Sequence, residues 1–363
     1  MPNKPLHITI IGLSLSSSWG NGHATTYRSL IKGLKEEGHQ VTFLEREKDW
    51  YSSHRDFDSS PDCRLVFYTS IQELKEKYSN EIIQADLVIV GSFTPDGVPI
   101  GEWVTKAAKG ITAFYDIDTP ITLSKLKEND FEYINPELIP AYDIYLSFTG
   151  GPTLDVLEDE YQSPTARALY CSVDTDLYLP ESKPEKWQLG YLGTYSDDRQ
   201  PSLQRFLIDV ANKLEESTFV VAGPQYPENI EWPENVKRID HLPPGEHCNF
   251  YTSQRFTLNI TRKAMIEAGF APSVRLFEAA ACGVPIISDY WEGLDTIFQP
   301  DEEILIARST EDVIGYLQNI PEESRIDMGE KARQRILKEH SHIQRAKQLA
   351  DYTYEMMKIE SAW

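Results

Sequence analysis

This chain of 363 residues predicts an α/β fold of two parallel-sheet units followed by a helical tail. Three observations support it. Short, nearly continuous apolar runs alternate with helical segments, as expected of strands buried on both faces of a parallel sheet. The length accommodates two domains of ordinary size. One polar, proline-containing segment breaks the alternation midway.

The first strand is LHITIIGL (6–13), too short for a secretory or membrane-spanning segment and leading straight into a loop. A helix from about Ala24 to Glu37 is closed by Gly38, and QVTFLE (40–45) returns as a strand. ADLVIVG (85–91), GITAFYD (110–116) and YDIYLSF (142–148) complete the first half. The second half repeats the pattern, without repeating the sequence, in QLGYLG (188–193), TFVVAG (218–223), NVKRID (235–240), FTLNIT (256–261), VPIISD (284–289) and EILIA (303–307). The expected domains are 1–171 and 188–340, with the linker SVDTDLYLPESKPEKW (172–187) between them. The segment 321–340 is amphipathic and charged, and a C-terminal helix, 341–363, is expected to pack back on the first domain. In such a pair the natural active site is the cleft between the units.

A net charge of −22 repels polyanions, so nucleic acid and anionic membrane surfaces are not expected partners. Cys63, Cys171, Cys248 and Cys282 are scattered, with no metal-ligand spacing. Reduced thiols, a cytoplasmic location, no zinc site and no stable membrane insertion are the corresponding expectations.

The most informative stretch is SVRLFEAAACGVPIISD (273–289). Ser273 is set to cap a helix that Gly283 ends, and the alanines let that helix approach the sheet closely. With Val274 and Arg275 at its start, the helix terminus forms an anion site. Glu278, one turn in, is placed to accept two hydroxyls, as from a ribose. The competing possibility is an ordinary Arg275–Glu278 salt bridge.

This stretch resembles the nucleotide-sugar site of glycosyltransferases with the two-Rossmann GT-B fold, in which two Rossmann-like domains face a cleft. It most closely resembles the CgeB-like (spore-maturation) branch, whose helix reads R-x-F-E-A-x-A-C-G, as Arg275, Phe277, Glu278, Ala279, Ala281, Cys282 and Gly283 do here. The resemblance takes in SWGNGHATTYRSL (18–30), AFYDIDTP (113–120), SFTGGPT (147–153), SVDTDLY (172–178), LGYLGTYSDDRQ (189–200) and VVAGPQYP (220–227). Retaining members of the broader group carry a second glutamate eight residues before the first; here that position is Phe270.

The resemblance implies a donor site in the C-terminal domain. Gly193, Thr194 and Gly223 would present backbone to a diphosphate, with Arg199 and Arg262 supplying charge. Taken alone, GTYSDDRQPSL (193–203) is a strand-to-helix turn capped by Asp197 or Asp198. His241 and Leu242, in DHLPPGEH (240–247), occupy the place where such enzymes hold the nucleobase.

On the N-terminal side, GNGHAT (20–25) invites a dinucleotide reading, with Glu45 on a ribose. However, Leu13 to Trp19 separate the glycines from the first strand. The longer loop suits GT-B enzymes, in which Gly20, Asn21 and Gly22 would approach the donor phosphate and His23 would face the cleft as a base. YDIDTP (115–120) contains an Asp-x-Asp of the kind that holds manganese in single-domain glycosyltransferases, and Asp174-Thr-Asp176 is a second copy. With arginines and a helix start to neutralise the diphosphate, no metal is expected. Asp116 and Asp118 would then orient His23 or bind acceptor, with Glu45, Thr149, Gly150 and Gly151 also on the acceptor side.

The expected activity is metal-independent, cofactor-free transfer from a nucleotide-diphosphate sugar, uridine-based, to an acceptor that is a protein, a glycan or a small metabolite. The rivals are a nucleotide-sugar epimerase on the same fold, a non-catalytic sugar-nucleotide-binding subunit and, last, a nicotinamide oxidoreductase.

Overall fold

The structure, a computed structural model, describes residues 4–19 and 22–360. Two compact units divide the chain: residues 1–172 with 342–363, and residues 173–341.

The first unit is built on seven strands: β1 (His7–Gly12), β2 (Gln40–Arg46), β3 (Arg64–Tyr68), β4 (Leu87–Gly91), β5 (Ile111–Asp116), β6 (Ile144–Ser147) and β7 (Ala166–Ala168). All pair in parallel, in the order β3-β2-β1-β4-β5-β6-β7. Ile10 lies opposite Phe43 on one side and Ile89 on the other. The central strands are apolar throughout because helices cover both faces. Ile11, Val90, Phe114 and Tyr145 are fully buried in one core cluster.

The second unit has β8 (Trp187–Leu192), β9 (Phe219–Ala222), β10 (Val236–Ile239), β11 (Gln254–Asn259), β12 (Ile286–Ser288) and β13 (Leu305–Ile306). These are also all parallel, in the order β10-β9-β8-β11-β12-β13. Leu189, Val221, Phe256 and Leu258 are the centre of its own core.

The two sheets therefore share one winding. Each reverses direction between its first and fourth strands, at β1/β4 and at β8/β11. In open α/β sheets, the crevice beyond the carboxyl ends of the strands at such a reversal is where ligands bind.

Strands β3 and β7 do not appear in the sequence reading. Both are edge strands: β3 (RLVFY) is mostly half-buried and β7 is three residues long, so neither shows a continuous apolar run. Residues 173–186 lie within the second unit, where Tyr178 is 3% exposed. Helix His342–Glu360 packs on helix His23–Glu36 of the first unit. The approach is so close that a Cβ at Gly33 would sit 2.2 Å from the His342 carbonyl oxygen.

Candidate functional site

At the β8/β11 reversal the polar groups gather around Asn259, the last residue of β11. Ser273 stands in the cap position of helix Val274–Ala281 with extended backbone, but it makes no side-chain cap. Its hydroxyl donates instead to Asn259 Oδ1 at 2.8 Å, which leaves the helix start without a side-chain acceptor. The same oxygen accepts from Arg275 Nη1 at 2.8 Å, and Arg275 Nε donates to the Leu192 carbonyl at 2.5 Å. The guanidinium lies 4.8 Å from the Tyr191 ring centre. Arg275 is thus fixed beside the end of β8.

The loop after β8 continues this site. Gly193 is gripped by the Tyr226 hydroxyl, which donates to its carbonyl at 3.1 Å. Gly223, at φ +137°, comes so near that a Cβ there would lie 2.1 Å from the same carbonyl oxygen. Only glycine fits that approach. Arg199 donates to the Thr194 carbonyl at 2.6 Å and to the Ser196 hydroxyl at 3.0 Å. Burial holds the Arg199 pKa below its usual value, and the charges of Arg275 and Arg262 push it the same way. Arg262, half exposed after β11, lies 3.7 Å from Asp198. Asp198 also accepts the Lys263 N–H at 2.9 Å, joining the two loops. Beside them, Tyr195, Ser196, Arg262, Lys263 and Glu267 line an open groove of about 640 Å³. Arg199 thus lies within electrostatic reach of two other arginines, one of them in the first turn of a helix without a side-chain cap.

Glu278 belongs to a different cluster. It is 5% exposed, and its two oxygens accept one hydroxyl each, from Tyr178 and from Tyr251, both at 2.9 Å. His247 Nδ1 lies 3.7 Å away. Burial alone would raise the carboxyl's pKa, but His247 and the two tyrosines outweigh it and hold it below the usual range. His247 moves the other way: burial opposes its charge, and Glu278 raises its pKa on balance. Arg275 and Glu278 share a helix face in the sequence, yet in the fold each has its own partners and neither partners the other. His241 is exposed, and the Leu242 carbonyl accepts from His247 Nε2 at 3.3 Å.

At the β1/β4 reversal the polar groups are an imidazole and carboxylates. His23 opens its helix, after Gly22 in the cap position, and its Nε2 is 3.2 Å from Asp118 Oδ2. Its Nδ1 is buried with no partner among the described residues, and the ring meets Phe93 edge-on at 5.6 Å. Gly20 and Asn21 lie outside the described residues.

Two expectations need correction here. Asp116 does not face a ligand. It is 0% exposed and accepts from Tyr145 at 2.6 Å, from Thr122 at 2.8 Å and from the Asp118 N–H at 3.2 Å. Burial raises its pKa to about 6. It can orient His23 only through Asp118. Glu45 is likewise 1% exposed. It accepts the Leu15 and Ser16 N–H groups at 2.7 and 2.9 Å, and the Ser16 and Ser14 hydroxyls at 2.7 and 3.2 Å. Every lone-pair direction is used to fold the loop after β1, and none is left for an acceptor.

Thr149, 1% exposed, accepts the Ser147 hydroxyl on its carbonyl at 2.6 Å, and its own hydroxyl is buried without a partner among the described residues. Gly150 lies against the Tyr170 hydroxyl, and Gly151 stands at the cap of helix Pro152–Asp159.

Sequence reasoning missed Asn259, Tyr178, Tyr251 and His247. A signal existed for Asn259, a polar residue closing a strand that is otherwise apolar. The other three come from 100, 27 and 31 residues away from Glu278, and no local spacing joins them to it.

A family model described as glycosyl transferase-like matches residues 199–351, less than half of the chain. Among curated proteins none matches the sequence significantly. Solved structures that resemble it over nearly the whole length include sucrose-phosphate synthase from Thermosynechococcus elongatus. That match has 14% identity, covers 97% of this chain and 99% of that one, and has a TM-score of 0.69. Anabaena HepE in complex with UDP-glucose is similar at 9% identity, over 96% and 99% of the two chains, with a TM-score of 0.67. An α-glucosyltransferase in complex with UDP matches at 12% identity, over 96% and 100%, with a TM-score of 0.68. Among the described residues no helix is long and apolar enough to cross a membrane.

Proposed function

We propose that this chain, a glycosyltransferase of the GT-B fold, moves a hexose from a UDP-linked donor to an acceptor hydroxyl without a metal or other cofactor. The observation that supports the donor site is Arg275 in the first turn of the uncapped helix Val274–Ala281, with Arg199 within electrostatic reach of it and of Arg262. An anion such as a diphosphate would offset their like charge and accept from N–H groups at the uncapped helix start. Gly193, Thr194 and Gly223 allow its close approach, and Glu278 receives the ribose hydroxyls. The UDP and UDP-glucose held by the similar structures support uridine as the base.

The first unit supplies the proton chemistry. Asp118 accepts the Nε2–H of His23, which leaves Nδ1 as the basic nitrogen. As the acceptor oxygen bonds to the sugar, Nδ1 takes its proton, the bond from sugar to diphosphate breaks, and Asp118 stabilises the imidazolium. The arginines of the second unit meet the charge left on the diphosphate. The helix R-x-F-E-A-x-A-C-G supports a place in the CgeB-like branch, and the scattered cysteines a cytoplasmic setting. The net charge of −22 speaks against a nucleic-acid acceptor.

The test is a panel of nucleoside diphosphates and their sugars, read as a shift in thermal midpoint, followed by release of free nucleotide with and without candidate acceptors. UDP should raise the midpoint, and release should require acceptor. No shift with any nucleoside diphosphate would overturn the donor site.

A further inference from the structure

The four cysteines are scattered in sequence, but two of them meet in the fold. Cys248 and Cys282 lie 34 residues apart in the chain, and their sulfurs are 3.8 Å apart. They are 7% and 3% exposed. Cys248 lies in helix His247–Thr252, between His247 and Tyr251, the two residues of that helix that face Glu278. Cys282 directly follows helix Val274–Ala281, which carries Glu278 itself. The sulfurs therefore bridge the two elements that hold the buried carboxylate.

We infer that Cys248 and Cys282 form a reversible dithiol–disulfide site, open to exchange with small disulfides, which clamps the Glu278 cluster when oxidised. The effect on donor binding rests on the donor role of Glu278 proposed above; formation of the disulfide does not. A disulfide requires a sulfur separation of about 2.0 Å, so closure draws the two helix segments together by a small movement.

The two sulfurs are not equivalent. Cys248 is the more exposed of the two, and the Cys282 thiol donates toward it and, as the largest influence, brings its pKa down to about 7. Cys248 is therefore the attacking thiolate once it gives up its own hydrogen bond to the Leu179 carbonyl at 3.2 Å. It attacks one sulfur of a disulfide such as oxidised glutathione, forming a mixed disulfide and releasing one thiolate. Cys282 loses its proton to that thiolate and attacks Cys248 Sγ, expelling the second glutathione as a thiolate that solvent protonates. Two protein thiols and one small disulfide become one protein disulfide and two small thiols. Cys63 and Cys171 serve as internal controls, since neither is in a disulfide and burial pushes the Cys63 thiol up to about 11.

Ribose hydroxyls and the Tyr178 and Tyr251 hydroxyls compete for the same two carboxylate oxygens. A cluster held in its present arrangement gives them up less readily, so oxidation weakens the donor. The experiment equilibrates the full chain in glutathione buffers of graded ratio, traps free thiols by alkylation, maps peptides by mass, and measures UDP affinity by calorimetry in each state. A peptide pair joined through Cys248 and Cys282, lighter by two hydrogens and reversed by excess thiol, should appear while Cys63 and Cys171 remain alkylated. UDP affinity should fall several-fold on oxidation. Cys248→Ser and Cys282→Ser should each abolish the redox dependence and bind UDP as the reduced protein does. Failure of the pair to form, or a disulfide that leaves UDP affinity unchanged, overturns the inference. If UDP binds neither redox state, the donor reading falls, and the peptide map alone decides the disulfide.

Discussion

The β1/β4 and β8/β11 reversals have one topology and opposite chemistry. Both lie where a parallel sheet changes its direction of winding. At the first, an imidazole rests on the carboxylate of Asp118, whose backbone N–H donates in turn to the carboxylate of Asp116. At the second, Arg275 stands in the first turn of a helix without a side-chain cap, and Arg199 lies within electrostatic reach of both Arg275 and Arg262. A chain with net charge −22 has placed this cationic cluster against its own average. The winding supplies a crevice in each unit; the residues at the strand ends set its character, an imidazole and carboxylates in one and arginines in the other.

Breaking the two ends separately should give separable defects. The largest expected effect is at the first. His23→Ala should lower transfer roughly 10²–10⁴-fold, with UDP affinity unchanged. A fall in affinity with turnover preserved at saturation would make His23 a binding residue and blur the contrast. At the second end, Glu278→Gln should weaken UDP by about tenfold or more, the worth of a charge-assisted hydrogen bond pair. Unchanged affinity in calorimetry would make Glu278 structural.

Smaller effects concern pH. Asp116 keeps its proton to about pH 6 when folded but loses it near 4 when unfolded, so it lowers stability as pH rises through that window. Asp116→Asn should remove this slope, a relative gain on the order of 2 kcal/mol between pH 4 and 7 in urea melts. Identical slopes would mean that its hydrogen bonds already favour the anion. His247 has the opposite sign. Its raised pKa contributes stability that is complete below about 6.5 and is lost as pH rises through the folded value. In His247→Gln that dependence should flatten when melts at pH 5.5 and 8.5 are compared. The smallest expected effect is none: chelation with EDTA should leave transfer intact, and restoration of a chelated enzyme by manganese would return Asp116 and Asp118 to a metal-binding role.

The apolar runs revealed the central strands because each is covered on both faces, and burial requires apolar side chains at every position. The edge strands β10 and β13 of the second sheet were read from the continuing alternation. Strands β3 and β7 escaped because an edge strand needs no such run. The site was legible wherever a motif is local. The glycine turn after β8 and the helix start at Ser273 are each written within a few residues. Glu45 and Asp116 misled because a carboxylate at a strand end looks the same in sequence whether it faces solvent or a ring of buried donors. Tyr178, Tyr251 and His247 were invisible because packing, not spacing, brings them to Glu278.

Helix His342–Glu360 belongs to the first unit although it is made after the whole of the second. It fills that unit with Ala346, Leu349 and Ala350, all buried, and Arg345 donates to the Cys171 carbonyl at 3.3 Å. During synthesis, then, the first unit waits for about 170 residues of intervening chain before its last helix arrives, some 10–30 s at the usual pace of translation. The apolar face of helix His23–Glu36 is uncovered for that interval. The order of manufacture thus differs from the order of assembly. The second unit can close while the first is still open, and a ribosome that stops before residue 342 leaves a nascent chain whose second unit is complete and whose first still exposes the face that the last helix covers.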